Sequence, residues 1–315
     1  MANNESQMTA VQQRQATPDS GAAKTRDTSA VRAGEGSQKV RRRRKKSVTS
    51  SLVRNGWLTR QHGGWPMATV PVIAGSALGG FSWSQLLLGV SWLIAFLWFD
   101  TLTTWMKSAV RTNRAGKRQV NLSRGRRYVP ALITYALIAG VGALALVILH
   151  PRVLLWGLVI LPLFSIAWWE MWRGEYQSFL ARAAAILAST LLLPIAYELG
   201  THPNNWVRAW VATAFVTAYF VGTVPYVKTL IRERGNPGWL RFSLGYHVAM
   251  TVITAIAWGF GLATWWMTAA WVILTVRAWV YPEISRRRGK PLRPAVIGVS
   301  EFAFTAIVLI AVLAN

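Results

Sequence analysis

The sequence predicts an all-helical, polytopic membrane protein with nine transmembrane helices, and three observations predict it. Hydrophobic side chains make up 53% of the 315 residues and charged ones only 15%, a balance far from that of soluble domains. From Trp65 onward, apolar stretches recur near the length of about 20 residues that a spanning helix requires. The loops between those stretches alternate in charge, as the positive-inside rule demands of a multi-pass chain.

Residues 1–56 come first, a tail rich in Gln, Ser, Thr, Gly and charge with almost no large apolar residue before Val40. Such a segment cannot bury enough surface to offset the entropy of ordering, and it is expected to be a disordered, basic cytoplasmic tail. It lacks the apolar stretch of a secretory signal, so none is expected. Arg41 to Lys46, RRRRKK, lies just before the membrane domain. That run either binds anionic lipid headgroups or anchors the N-terminus on the cytoplasmic side.

The nine spans are expected at 65–82, 85–106, 128–149, 153–172, 179–199, 206–228, 240–259, 262–281 and 294–314, within a membrane domain of residues 57–315. Pro71, Pro162, Pro194 and Pro225 fall inside them, which packed membrane helices tolerate. The loops after spans two, four, six and eight hold Lys107 to Arg127, Arg173, Lys228 to Arg234, and Arg286 to Arg293. The other loops are nearly uncharged. This alternation places the N-terminus in the cytoplasm and the C-terminus outside. Trp57, Trp65, Trp83, Trp105, Trp172, Trp206 and Trp239 near the span ends fit interfacial belts. The formal charge of +24 therefore follows from topology, and no nucleic-acid partner is expected. There is no Cys, which removes disulfides, thiol nucleophiles and Cys metal sites.

Ionisable groups inside spans are expensive, and each is a functional candidate by default. His62, Asp100, Glu170, Arg182, His247, Arg277 and Glu301 all fall in the cytoplasmic third when depth is counted at about 1.5 Å per residue. Glu198 and Arg208 lie near the outer face, where a structural ion pair is expected. No charge falls at the midplane, where a secondary transporter typically holds its substrate. Snorkelling accounts for the Arg residues through their long stems. Each carboxylate taken alone also fits a plain helix–helix ion pair, but together they suggest a polar cavity open to the cytoplasm.

Two helical stripes sharpen that reading. Asp100, Thr104, Lys107 and Arg111 are spaced by four, three and four and share one face. Lys228 and Arg232, in TVPYVKTLIRERGNP, are four apart on another. Facing stripes of this kind would hold a phosphate or carboxylate, Arg by its planar fork and Lys as a point charge; they also fit ordinary positive-inside residues. GNP at 235–237 reads as a helix stop and turn. In RQHGGWPM, residues 60–67, Gly63 and Gly64 let Gln61 and His62 turn toward the cavity. No second ligand stands at metal spacing from His62, and no metal site is expected there. The candidate ligand-binding set is His62, Asp100, Lys107, Arg111, Lys228, Arg232, His247 and Glu301.

QHGGW at 61–65, VGTVPYVKTLIRERGNP at 221–237, SLGYH at 243–247, RAW at 277–279 and IGVSE at 297–301 resemble the YwiC-like bacterial membrane proteins. The resemblance runs from about Trp57 to Val312. It implies a class and no assigned reaction. Nine spans with conspicuous loops after the second and sixth also resemble the UbiA-type prenyltransferases, which hold magnesium and an isoprenoid diphosphate on two Asp-rich motifs. Here the first motif reduces to Asp100, and Lys228 and Arg232 stand where the second would have acids. That departure removes the carboxylates a magnesium ion would need and leaves the cofactor unassigned; a direct cation grip on an anionic head group remains physically possible. The expected function is binding, with or without processing, of an anionic lipid or isoprenoid-phosphate head group. Transport of a small anion and a non-catalytic role in a membrane complex are the alternatives.

Overall fold

A computed structural model of the protein describes residues 48–59, 64–112, 118–175 and 178–315. The run at 60–63, with His62, and the tail up to residue 47 lie outside the described residues. Residues that the sequence assigns to the end of the tail form a short helix, α1 (Val48–Arg54). Its exit is tied down by Thr101, whose hydroxyl donates to the Gly56 carbonyl at 2.7 Å, and by Tyr135, which donates to Trp57 O at 2.7 Å.

Every expected span is helical. α2 (Gly64–Gly79), α3 (Trp83–Ala109), α5 (Val129–Leu149) and α6 (Val153–Arg173) follow the first four, with a four-residue α4 (Leu122–Gly125) between α3 and α5. The fifth divides into α7 (Phe179–Thr190) and α8 (Leu192–Glu198), where Pro194 removes a backbone donor from the ladder. Then come α9 (Trp206–Ile231), α10 (Pro237–Gly259), α11 (Trp265–Arg287) and α12 (Pro294–Leu313). Seven of these segments are long and apolar enough to cross a membrane, with α7 and α8 counted together. α2 falls short because its 16 residues extend only about 24 Å. α11 is the other segment outside the seven; it carries Arg277 inside and Glu283, Arg286 and Arg287 near its end.

The caps are local. Ser82 and Gln85 form a reciprocal capping box at the start of α3. Asn205 and Asn236 accept from the first backbone N–H groups of α9 and α10. The GNP stop behaves as the sequence predicts: Gly235 takes φ +80° and Pro237 opens α10. The basic loop after α3 carries a small antiparallel hairpin, β1 (Val110–Thr112) with β2 (Arg118–Val120), pairing Arg111 with Gln119.

Contacts fix relative directions. α2 runs parallel to α7–α8, with Ser189 bonded to Met67 O and the Gly75 and Gly79 backbones against Leu193 and Tyr197. α3 runs parallel to α6: Ser84 meets His150 at one end, and Thr103 meets Met171 Sδ at the other. α12 is antiparallel to α9, through Arg208–Leu313 O and Tyr219–Thr305. It is also antiparallel to α11, through Thr264 N–Asn315 and Arg277–Glu301. The largest apolar core, around Leu193, Val216, Trp271 and Val308, joins α2, α7, α8, α9, α11 and α12.

The outer surface is apolar. On α5, Ile133, Leu137, Val141, Leu144 and Ile148 are all exposed, at spacings of four, four, three and four. In water this stripe would be an aggregation site; in hydrocarbon it is the solvated face. α10 shows the complement, since its only fully buried residues are Ser243, His247 and Thr254. Its polar side faces protein and its apolar side faces out.

Candidate functional site

Glu301 and His247, assigned to one polar layer from their depth, do meet in one cluster. The group that joins them is Arg277, which the sequence leaves to snorkelling. Arg277 is 2% exposed and does not reach an interface. Its Nη1 donates to both carboxylate oxygens of Glu301 at 2.9 Å. Its guanidinium carbon lies 4.0 Å from the Tyr226 ring centroid and 4.7 Å from that of Phe304, a cation held between two aromatic faces. Tyr219 donates to Glu301 at 3.4 Å and shares a 2.9 Å hydrogen bond with Thr305.

His247 adjoins from α10, its ring packed edgewise on Tyr226, Tyr246 and Trp271. Its Nδ1 lies 2.7 Å from the Ser243 carbonyl. A carbonyl only accepts, so Nδ1 carries a proton and Nε2 is the free end of the ring. Gly222 provides the room: a Cβ there would come within 2.7 Å of the Tyr246 ring. Tyr219, Tyr226, Ser243 and Arg277 are the members that the sequence reading missed. The usable signal was the inward stripe of Ser243, His247, Thr251 and Thr254, polar at helical spacing in an otherwise apolar span.

The other described candidates stand elsewhere, and His62 lies outside the described residues. Asp100 is half-buried and Lys107 exposed on α3, which packs on α2, α4, α5 and α6. The Arg111 backbone lies in β1, past the end of α3, so the stripe of four does not continue along one helix. Lys228 lies in the last turn of α9 and Arg232 is its C-cap; α9 packs on α2, α7, α8, α10, α11 and α12. Lys228 Nζ sits 4.1 Å above the Trp239 ring centroid, and Arg232 is exposed at the helix end. The ion pair expected between Glu198 and Arg208 does not form. Glu198 accepts from the Trp156 indole at 2.5 Å, and Arg208 donates to the Leu313 carbonyl at 3.1 Å.

The loop between α11 and α12 makes a second polar feature. Beyond the expected end of its span, Glu283 accepts from Arg286 and Arg287 at 2.6–2.7 Å, and these bonds hold its carboxyl down at about 2. Arg288, Lys290 and Arg293 form no ion pair among the described residues. With Pro291, Leu292 and Val296 they line a cavity of about 560 Å³. Leu292 packs near Leu230 and Ile297, so this cavity lies at the same end of the bundle as Lys228 and Arg232.

Fold and surface thus define a multi-pass membrane protein with a buried polar cluster on one side of its bundle. The YwiC-like protein family matches residues 58–197, so the resemblance expected from the sequence is borne out. The match ends at α8, and the α9–α12 cluster lies beyond it. An uncharacterized protein of Haemophilus influenzae is 26% identical over 259 residues, covering 81% of this chain and 97% of that one. An uncharacterized protein YwiC of Bacillus subtilis is 27% identical over 227 residues, covering 71% and 85%. No solved structure matches.

Proposed function

We propose that the protein crosses the bacterial cytoplasmic membrane nine times and binds an anionic lipid or isoprenoid-phosphate head group at its basic, cytoplasmic end. α2 and α11 are the two segments outside the seven. α2 runs beside α7–α8, and α11 runs beside α10 and α12, so each accompanies segments that qualify. The relative directions agree with nine alternating crossings, and the basic loops then gather on one side, in the cytoplasm. Bacterial relatives in Haemophilus and Bacillus fit that membrane.

The observation that carries the binding reading is the cavity between α11 and α12. Three cations without an ion pair among the described residues surround it, while Leu292 and Val296 supply an apolar wall. A phosphate needs the first and the start of a lipid chain needs the second. Lys228 and Arg232 extend the same field from the α9–α10 turn. His247 and Glu301 stand deeper, where Arg277 is already balanced, so a phosphate is held by the loop cations. The positions corresponding to the second Asp-rich motif of the UbiA type hold cations, and magnesium is not required for this grip.

The test is binding of short-chain phosphatidylglycerol and geranyl phosphate to purified protein in detergent, with phosphatidylcholine as control, with and without magnesium. Lys290→Ala with Arg293→Ala, and Lys228→Ala with Arg232→Ala, should each weaken both anionic ligands by roughly tenfold or more. Parent-like affinity in both double variants would reduce these cations to topology signals.

A further inference from the structure

The α9–α12 cluster contains more hydrogen-bonding capacity than it uses. Tyr226 OH, Ser243 Oγ, Trp271 Nε1, and Nε and Nη2 of Arg277 are buried and find no hydrogen-bond partner among the described residues. Their residues are at most 2% exposed. Five unpartnered atoms in one neighbourhood of a membrane interior is a heavy cost, because hydrocarbon offers no substitute partner. They are also alike in kind. Indole and guanidinium nitrogens only donate, and both hydroxyls donate as readily as they accept.

The geometry at Arg277 narrows the choice. Glu301 takes Nη1 alone with both of its oxygens, leaving the opposite edge of the guanidinium unused. That edge, Nε with Nη2, presents two parallel N–H groups to one acceptor group. Tyr226 stacks against the guanidinium face, and Ser243 stands one helical turn before His247, whose ring packs on Tyr226. Charge narrows it again. Arg277 and Glu301 cancel, and the remaining donors are neutral. A second carboxylate or a phosphate would leave a net charge buried in hydrocarbon, whereas a carbonyl oxygen brings acceptor lone pairs and no charge. The wall on the lipid side is α10, which turns an apolar face outward and only Ser243, His247 and Thr254 fully inward.

We propose that the α9–α12 cluster binds an uncharged, lipid-soluble molecule through a carbonyl oxygen, of the quinone or ketone kind. The acceptor lies on the free edge of Arg277, with the Tyr226 and Ser243 hydroxyls as further donors. Glu301 holds Arg277 in place. This site is separate from the loop cavity and does not depend on it.

The test is calorimetric titration of purified full-length protein in detergent with decylubiquinone, and with decanoate as the carboxylate of matching tail. Decylubiquinone should bind, and decanoate should bind far more weakly. Tyr226→Phe and Ser243→Ala should each lower decylubiquinone affinity roughly tenfold, the loss of one hydrogen bond to a buried acceptor. Both unliganded variants should melt at the parent temperature or above it, because each loses an unpartnered buried hydroxyl. That combination separates ligand contact from a structural role. Lys290→Ala with Arg293→Ala should leave decylubiquinone binding unchanged, so failure of the loop site and of this one are told apart. The proposal is overturned if neither probe binds, if decanoate binds in preference, or if both hydroxyl variants bind decylubiquinone as the parent does.

Discussion

At Arg277 a guanidinium with 2% exposure is balanced, among the described residues, by Glu301 and stacked between Tyr226 and Phe304. Removing one partner of such a pair leaves the other charged and buried, which costs about 3–5 kcal/mol. Glu301→Gln should therefore lower stability by that order, measured as detergent-solubilised thermal unfolding. Replacing both, as Arg277→Leu with Glu301→Leu, should cost less than Glu301→Gln, because no uncompensated charge remains. A double variant less stable than the single one would mean that the pair contributes through its rings rather than its charge. Glu301 and His247 were legible from depth, since a carboxylate and an imidazole have short reach and must be satisfied where they stand. Arg277 was not legible, because its stem is long enough to reach an interface. The Glu301 carboxylate and the rings of Tyr226 and Phe304, on neighbouring helices, hold its head inside.

Among the elements, α2 shows how a short helix earns its place by close packing. Gly75 and Gly79 are four apart and bring its backbone onto Leu193, Ala196 and Tyr197 of α8. A Cβ at Gly75 would collide with the Leu193 carbonyl and stand 2.8 Å from the Ala196 methyl, and backbone on both sides cannot yield by rotamer change. Gly75→Ala should cost roughly 1–3 kcal/mol as overpacking, read as a lower melting temperature. Gly140→Ala, which meets nothing within 4 Å on α5, is the control and should be neutral or slightly stabilising. A melting temperature for Gly75→Ala equal to that of the control would show that α2 does not seat so closely. Helix bounds were largely readable, because apolar run length and the Ser82, Asn205, Asn236 and Gly235 signals are local. The division of the fifth span and the hairpin after α3 were not read, although Pro194 marked the first.

Across the whole molecule, the alternation of basic loops makes a direct prediction. Reporter fusions after Gly116, Asn236 and Gly289 should report cytoplasm, and one after Asn315 should report the outside. A cytoplasmic C-terminus would mean an even number of crossings and would remove α2 or α11 from the count. The sequence counts both as spans, whereas in the structure α2 is short and α11 carries charge, so this fusion decides both.

The residues alone determined the helical class, the segment boundaries and the side on which the polar groups collect. Each of these follows from the cost of backbone and charge in hydrocarbon, and that cost is paid locally along the chain. Tertiary structure decided which polar groups meet. Asp100 with Lys107 and Lys228 with Arg232 share helix faces in the sequence, yet α3 and α9 keep largely different neighbours. Glu301 and Arg277, distant in the chain, are joined because α11 and α12 run antiparallel at contact distance. Periodicity gives the direction of a side chain from its own helix axis, but the rotation of that axis against its neighbours is set by packing, and packing chose the pair.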